Sequence, residues 1–486
     1  MSAITFLNRW SVRLALALGL FIILAVNILR FYNLNDIPYG AQVDELAGAV
    51  TVQCLATEGI DAHKRSWPLF SDLNFGSPKP PTYLYPAVLW TKVFGYSIGS
   101  FRALIAFFFL LALLGLFFLG RALASYEYGF WLLLLGSISP WTWNFSRVSF
   151  ESLTAVTFIV WGLFFVFNSG RLRNLVVSGI LFALAMYAYP PVRMQMPLML
   201  LPILLYRSSR GGFAIRETLI LLAAFLVAAL PLVWQILGGQ LMTRFNDISI
   251  FSKEYLASVG RTGSWDDLVK LFVWNYGAHF KPDYLFLTGD VNYIHSTRRF
   301  GILSWVDVLG LLSGVVVMIL VFFKLVQVKL QEGTDARRFI ALLVVCILIA
   351  IVPAALTNEG LPHSLRTIGA WPFVMLLSGW GLWQGSRLVP AFNMAGVVLS
   401  GIFALALLNV YFREYPQKSR GMFGFWTREE VMAARTEEDW LRFMYRYRAQ
   451  DYHFRYYLMN NKGLGCSQTR DMWFTLRDYL AAHGAQ

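Results

Sequence analysis

The chain contains 486 residues, of which 57% are apolar and 14% charged, and its formal net charge at pH 7 is +13. Its mean hydropathy of +0.54 excludes a soluble globular protein. The sequence therefore predicts an all-α polytopic membrane protein, because only helices satisfy the backbone polar groups of long apolar runs in lipid.

Apolar segments long enough to cross a bilayer recur along the chain. We expect about eleven spans, near residues 14–31, 101–120, 128–145, 150–168, 174–190, 192–206, 217–237, 301–323, 339–356, 367–385 and 390–411. The segment 83–96 is apolar but short, and Pro86 and Lys92 interrupt it. We therefore interpret it as an interfacial helix rather than a span.

Basic residues predict the orientation, since cytoplasmic loops carry an excess of Lys and Arg. One set of alternate loops carries Arg9, Arg13, Arg121, Arg171, Arg173, Arg207, Arg210, Arg216, Lys324, Lys329, Arg337, Arg338 and Arg387. The N-terminus is then cytoplasmic, and the loops 32–100 and 238–300 lie outside. We expect a transmembrane domain over residues 1–411, whose two outer loops carry the site, and an extracytoplasmic C-terminal region over residues 412–486. A bacterial inner membrane is the expected location.

The C-terminal region turns abruptly polar, and its segment 427–448 has the pattern of a helix with a capping box. Two roles stay open for it, a small soluble appendage on the membrane or a region that binds glycan or guides the acceptor. Cys54 and Cys466 share the predicted outer side, where a disulfide between them is chemically allowed.

The most informative polar residues are Asp44 and Glu45, which directly follow the first apolar segment. Pro38 and Gly40 precede them and are typical of a chain that turns back over a bundle. Neighbouring helical residues point about 100° apart, so we expect Asp44 to face a cavity and Glu45 to support it. The alternative is a pair of solvated loop acids.

Polar and basic side chains also recur at the predicted outer turns, against the positive-inside trend. They are Lys79, Arg147, Glu151, Tyr189, Arg193, His363 and Arg366. Each alone is typical of an interfacial anchor. Together, the basic residues predict a site for an anionic headgroup, with Glu151, Tyr189 and His363 as further substrate contacts.

The outer segment 274–301 is dense in groups that bind metals or hydrogen-bond, among them His279, Asp290 and His295. A metal site built from His279 and Asp290 with Asp44 is one interpretation. A packed lid held by hydrogen bonds is the other. Separately, we expect Asp290 and His295 to contact the substrate. No cofactor is required by the pattern, and a divalent cation stays an open alternative.

The order of these motifs resembles the integral-membrane glycosyltransferases of the GT-C fold, especially the dolichyl-phosphate-mannose-protein mannosyltransferase-like group and the aminoarabinose transferase that modifies lipid A. The acidic pair Asp44-Glu45 follows the first span, and a Lys79-Pro80-Pro81 element precedes the interfacial helix. GYSIGSFR ends at Arg102, SRVSFES follows, and Gly289-Asp290 lies in the outer loop. The resemblance covers most of residues 30–380.

The resemblance implies a GT-C-like bundle and a polyprenyl-phosphate sugar donor, such as an undecaprenyl phosphate sugar. It implies Asp44 at the catalytic centre and Lys79 on the lipid phosphate. The aminoarabinose transferases carry a metal-holding glutamate just before the corresponding lysine, and here that residue is Pro78. This departure removes support for a metal at that place and for lipid A as acceptor.

The sequence thus predicts an inverting hexosyl- or pentosyltransferase that acts on the outer face of the membrane. Its partners would be membrane lipid, the donor and a glycan, lipid or protein acceptor, with no nucleic acid. Asp44 would act as general base, while Lys79, Arg366, Arg193 and Arg147 would stabilise the leaving phosphate. Two alternatives stay open: a transporter or flippase for lipid-linked sugars, and an inactive scaffold with the same fold.

Overall fold

A computed structural model describes residues 3–61, 64–74, 77–168, 171–209, 215–239, 241, 243–326, 336–423, 455–456, 459 and 463–471. The chain forms two compact units. Unit 1 comprises residues 1–30, 107–145 and 152–411, and unit 2 comprises residues 31–106, 146–151 and 412–486. The segment 412–486 thus groups with the loop 32–100, for which an outer location was predicted, and the predicted helix 427–448 lies outside the described residues.

The described elements are helices and one pair of strands. The helices are α1 Ala3–Leu29, α2 Val43–Glu58, α3 Pro81–Phe94, α4 Ile98–Leu123, α5 Tyr126–Ile138, α6 Pro140–Phe145, α7 Ser152–Phe167, α8 Leu172–Ala188, α9 Val192–Ser209, α10 Ile215–Leu237, α11 Thr243–Ile248, α12 Lys253–Ser258, α13 Trp265–Ala278, α14 Trp305–Phe322, α15 Ala336–Ala355, α16 Trp371–Leu388, α17 Ala391–Asn409 and α18 Tyr415–Lys418. The strands are β1 Ser71–Asn74 and β2 Ser77–Lys79.

Each of the eleven predicted apolar segments coincides with helical structure. The segment 128–145 is divided into α5 and α6 at Ser139, because Pro140 cannot continue the helix and begins a new one. Within the described residues, six helices are long and apolar enough to cross a membrane, and α7 and α8 are shorter apolar helices. The prediction of an all-α polytopic membrane protein is confirmed, while the number of spans stays a prediction.

Small residues allow the helices of unit 1 to pack closely. A Cβ atom at Gly381 would collide with the carbonyl oxygen of Gly310, so α14 and α16 meet backbone to backbone there. A Cβ atom at Gly179 would likewise meet the carbonyl oxygen of Leu221, where α8 packs against α10. In lipid there is no hydrophobic driving force between helices, so close packing of this kind stabilises their association.

In unit 2, α2 packs against α3 and the antiparallel β1–β2 hairpin. The hairpin ends at Lys79, and Pro80 caps the start of α3. Lys79 is therefore the last residue of β2 and lies two residues before α3 begins. Helix α3 has 14 residues, whereas a span needs about 20, in agreement with the interfacial interpretation.

Candidate active site

Asp44 and Glu45 both lie in the first turn of α2, which forms a capping box. The Gln42 side chain accepts a hydrogen bond from the backbone N–H of Asp44, and the Glu45 carboxylate accepts one from the Gln42 N–H at 3.1 Å. These bonds satisfy N–H groups that a helix start leaves without partners. The acidic pair is therefore part of an ordered helix start, and not of a solvated loop.

Glu45 is fully buried and forms a two-pronged ion pair with Arg102. The Arg102 Nε and Nη2 atoms donate to the two Glu45 oxygens at 2.8 and 2.9 Å. The Ser149 N–H donates to Oε1 of Glu45 at 2.8 Å. Glu45 thus receives hydrogen bonds from three different segments of unit 2, and these bonds hold the start of α2 in place.

Arg102 extends this support to the segment that precedes α2. Its Nη1 donates to the carbonyl oxygens of Leu34 and Pro38 at 2.9 and 3.0 Å, and its Nη2 donates to that of Gly40 at 2.7 Å. With the two bonds to Glu45, all five guanidinium donors are used. Gly40 has a φ of +86°, a left-handed conformation that favours glycine.

Asp44 points away from this support and lies beside Lys79. The Lys79 Nζ atom is 3.9 Å from Asp44 Oδ1 and 3.8 Å from Glu151 Oε2. The Lys79 side chain is 5% exposed, that of Glu151 16% and that of Asp44 41%. A buried ammonium thus lies between two carboxylates, and the carboxylate of Asp44 is the more accessible of the two.

The segment 146–151 holds this cluster in place within unit 2. Arg147 is fully buried, donates from Nη2 to the carbonyl oxygens of Tyr32 and Ile37 at 2.7 and 3.1 Å, and lies over the Phe412 ring. The Ser149 and Tyr83 hydroxyls lie 2.6 Å apart, and burial raises the pKa of Tyr83. Arg147 therefore contacts the backbone around the turn of residues 32–37, and its expected role on a phosphate stays a prediction.

A second polar cluster lies in unit 1 and contains Asp290, His295 and His363. One potential ligand atom from each lies within 4.8 Å of the others. Asp290 Oδ2 accepts hydrogen bonds from Ser364 N and Oγ, both at 2.8 Å, and is 3.1 Å from His295 Nδ1. The Asp290 backbone follows Gly289, whose φ is +71°. A carboxylate on Nδ1 leaves Nε2 of His295 available to a cation.

Protonation in this second cluster suits metal binding. Burial, with the charge of Arg366 nearby, lowers the pKa of His363 well below its usual value, so the imidazole is neutral at pH 7. Burial of Asp290 acts to raise its pKa, but hydrogen bonds from His295 and from the Asn292 and Ser364 N–H groups outweigh burial and keep it ionised. Neutral imidazole and carboxylate are the forms that bind cations.

His279, named above as a metal candidate, uses both ring nitrogens within unit 1. Its Nδ1 is 2.9 Å from the Asn275 carbonyl oxygen, and its Nε2 accepts a hydrogen bond from His363 N at 3.1 Å. Burial lowers the pKa of His279, which agrees with a neutral ring. His279 therefore positions His363, whereas Asp290 groups with His295 and His363. Asp44 belongs to unit 2.

The other expected site residues of unit 1 lie around this cluster and on the neighbouring helices. Arg366 donates from Nη1 to Thr357 Oγ1 and to the Glu359 carbonyl oxygen. Arg193 is half-buried near the start of α9 and donates to the Met186 carbonyl oxygen at 3.4 Å. Tyr189 ends α8 and is half-buried. Phosphate and substrate roles for these residues stay predictions.

Sequence reasoning did not assign Arg102, Ser149 or Ser364 to the site. Arg102 ended a motif that carried the family resemblance, and this was a usable signal. Ser149 and Ser364 donate hydrogen bonds from their backbone N–H groups to buried carboxylates. The type of a residue does not indicate whether its backbone will donate to a site.

No protein-family model matches the chain, and no curated protein matches it in sequence. Among solved structures, ArnT from Cupriavidus metallidurans in the apo state aligns with a TM-score of 0.53 and 11% identity, over 90% of this chain and 84% of that one. The chain has the GT-C fold. At this identity the likeness shows the fold alone.

Two further solved structures give lower scores. ArnT from the same organism bound to undecaprenyl phosphate has a TM-score of 0.47 and 12% identity, over 82% of this chain and 73% of that one. The oligosaccharyltransferase AglB from Archaeoglobus fulgidus, with an inhibitory peptide and a dolichol-phosphate, has a TM-score of 0.47 and 13% identity. The alignment covers 90% of this GT-C-fold chain and 59% of AglB.

Proposed function

We propose that the protein is an inverting glycosyltransferase that moves a sugar from a polyprenyl-phosphate donor to an acceptor at the outer face of the membrane. One observation carries the proposal. The accessible carboxylate of Asp44, in the ordered first turn of α2, lies beside the buried ammonium of Lys79. The motif resemblance and the GT-C fold support the same reaction class.

Asp44 would act as the general base on a hydroxyl acceptor. Of the two acids in the first turn of α2, Glu45 is committed to Arg102, while Asp44 is 41% exposed. An exposed carboxylate can receive a proton from an entering nucleophile, whereas a buried one that already accepts several hydrogen bonds cannot. The division between a reacting acid and a supporting acid follows from these two environments.

Lys79 would bind the phosphate of the donor. Its buried ammonium lies 3.8–3.9 Å from the carboxylates of Asp44 and Glu151. An ammonium is a compact charge with three hydrogen-bond donors, which suits a phosphate oxygen. Glu151 would help to orient the ammonium while the donor is absent.

The bond changes follow from this arrangement. The acceptor oxygen forms a bond to the anomeric carbon as its proton passes to Asp44. The bond from the anomeric carbon to the phosphate oxygen breaks on the opposite face, and its electron pair remains on the lipid phosphate. Lys79 stabilises the new charge, so that a separate general acid is unnecessary.

A divalent cation would be held by Asp290, His295 and His363 of unit 1. Their carboxylate and neutral imidazole groups suit Zn²⁺ or a similar ion. When bound, such an ion supplies positive charge for an anionic substrate. Asp290 also orients His295 through Nδ1, and His279 orients the backbone of His363.

The disulfide between Cys54 and Cys466 supports an outer location for unit 2. It joins α2, which carries Asp44, to the tail. Disulfides persist in oxidising compartments such as the bacterial periplasm. The orientation that the basic loop residues predict gives the same outer location for unit 2.

The proposal is tested by transfer or release of sugar from a panel of polyprenyl-phosphate sugars by the purified full-length protein. We expect Asp44→Asn to lower turnover by about 10²-fold or more. Asp36→Asn is the matched control, because Asp36 is an exposed acid of the preceding segment. Equal turnover by the wild type and Asp44→Asn would refute the proposal. Donor binding without turnover in the wild type would favour a transporter or a scaffold.

A further inference from the structure

A cavity of about 560 Å³ lies within unit 1, and none of the residues assigned above lines it. It is lined by residues from the start of α1, the junction of α4 and α5, the end of α16 and the start of α17: Val12, Leu16, Ala124, Ser125, Glu127, Phe130, Trp131, Trp383, Ser386, Arg387 and Asn393. Its volume falls in the range of about 300–1,000 Å³ that is typical of sites for small ligands.

The cavity is lined in part by the starts of two candidate membrane spans, and we therefore expect it to lie near the boundary of the membrane. Val12 and Leu16 begin the first candidate span, Val12–Leu29, and Asn393 lies at the start of another, Ala391–Lys418. Arg387 lies in the last turn of α16, and Glu127 lies in the first turn of α5. The cavity thus has an apolar interior and charged residues at its rim. A lipid needs both, because its acyl carbons require apolar contacts and its headgroup requires charged ones.

The side chains that line the cavity include both apolar and polar groups. Leu16, Phe130 and Trp131 provide apolar surface, while Ser125, Ser386 and Asn393 provide polar groups. Arg387 stacks over the Trp383 ring at 5.3 Å, which fixes the guanidinium at the rim without using its N–H donors. These donors suit a phosphate, which a planar guanidinium binds at two oxygens.

We propose that this cavity binds a membrane phospholipid whose headgroup carries both a phosphate and an ammonium group. Arg387 binds the phosphate, Glu127 binds the ammonium, and the acyl chains pass along Leu16 and Phe130. One basic and one acidic side chain on the same rim complement a zwitterionic headgroup better than a purely anionic one. The site is separate from the Asp44 and Lys79 cluster, so the proposal does not depend on the proposed reaction.

The test is native mass spectrometry of the delipidated full-length protein in detergent, titrated with phosphatidylethanolamine, phosphatidylglycerol or inorganic phosphate. We expect saturable binding of one phosphatidylethanolamine and at least a tenfold loss of affinity in Arg387→Gln, as removal of a charged hydrogen-bond partner predicts. Glu127→Gln should reduce the preference for phosphatidylethanolamine over phosphatidylglycerol.

Two further variants separate the cavity from general charge effects. Arg121→Gln is the matched control, because Arg121 lies in the last turn of α4, stacks on Tyr126 and does not line the cavity. Ala124→Phe fills the cavity and keeps both charges, and it should also abolish saturable binding. Equal losses in Arg121→Gln and Arg387→Gln would overturn the proposal, as would unchanged binding in Ala124→Phe. Inorganic phosphate that competes as well as the lipid does would overturn the assignment to a lipid.

Discussion

At the level of single residues, Asp44 and Glu45 are adjacent acids in the sequence, but the structure places them in different environments. Glu45 is buried against Arg102, whereas Asp44 is exposed beside Lys79. The sequence predicted the pair, and the helical angle between neighbours predicted that they would diverge. Their partners, Lys79 and Arg102, lie far from the pair in the chain. No local sequence pattern predicts which distant residue will contact which acid.

Substitution of Lys79 is expected to act on the donor. Lys79→Met should weaken the binding of a polyprenyl-phosphate sugar by about 10- to 100-fold, since it removes a charged partner of the phosphate. Donor affinity can be measured by equilibrium binding in detergent. Lys92→Met is the control, because Lys92 is an exposed lysine of α3. Equal affinities in the two variants would exclude Lys79 from the donor site.

Substitution of Glu45 is expected to act on stability. Glu45→Gln leaves the buried Arg102 guanidinium without its counter-charge, which should lower the free energy of unfolding by about 3–5 kcal/mol. Denaturant unfolding in detergent measures this loss. The double variant Glu45→Leu/Arg102→Met should recover only part of it, because Arg102 also binds three backbone carbonyls. An unfolding midpoint of Glu45→Gln equal to that of the wild type would contradict the assigned role.

At the scale of elements, α2 is held at both ends. Its start is fixed by the Glu45–Arg102 pair, and Cys54 near its end is bonded to Cys466. Glu58, the last residue of α2, also accepts hydrogen bonds from Cys466 N and Ser467 Oγ. The sequence allowed the disulfide as one alternative, but chain separation alone could not select it.

The disulfide is expected to stabilise α2. Cys54→Ser should lower the free energy of unfolding by about 2–4 kcal/mol and increase hydrogen exchange of α2 amides. Cys346→Ser is the control, since Cys346 is a buried cysteine without a disulfide. If both variants leave exchange in α2 unchanged, the tail does not hold this helix.

Two segments that are distant in the chain, the loop after α13 and the segment before α16, form the cluster of Asp290, His295 and His363. We expect His295→Ala and His363→Ala each to abolish binding of stoichiometric Zn²⁺, which elemental analysis of the purified protein measures. Asp283→Asn, an acid of the same loop, should retain the metal. Full occupancy in both histidine variants would show that the cluster is a hydrogen-bonded lid, the other interpretation of this loop.

At the scale of the whole molecule, hydropathy and helix length predicted the class of the protein well. Eleven apolar segments became helices, because in lipid each segment must satisfy its own backbone. The break at Pro140 and the close glycine contacts of α14 with α16 were less predictable. The former depends on local geometry within an apolar run, and the latter depends on which helices become neighbours.

The candidate site was predictable to a smaller extent. Motif order pointed to Asp44, Lys79 and Glu151, which the structure brings together in unit 2. It did not distinguish the basic residues that support the fold from those that could bind a ligand. Arg147, for example, binds backbone carbonyls at the turn before α2, and burial of an arginine in this way depends on tertiary packing.

We propose that Asp44 takes the acceptor proton in the chemical step. The decisive measurement is the single-turnover rate of sugar transfer from bound donor, compared between the wild type and Asp44→Asn at saturating acceptor. We expect the rate of Asp44→Asn to be lower by about 10²-fold or more, with donor affinity changed by less than about twofold. A single-turnover rate equal to that of the wild type would contradict the proposal.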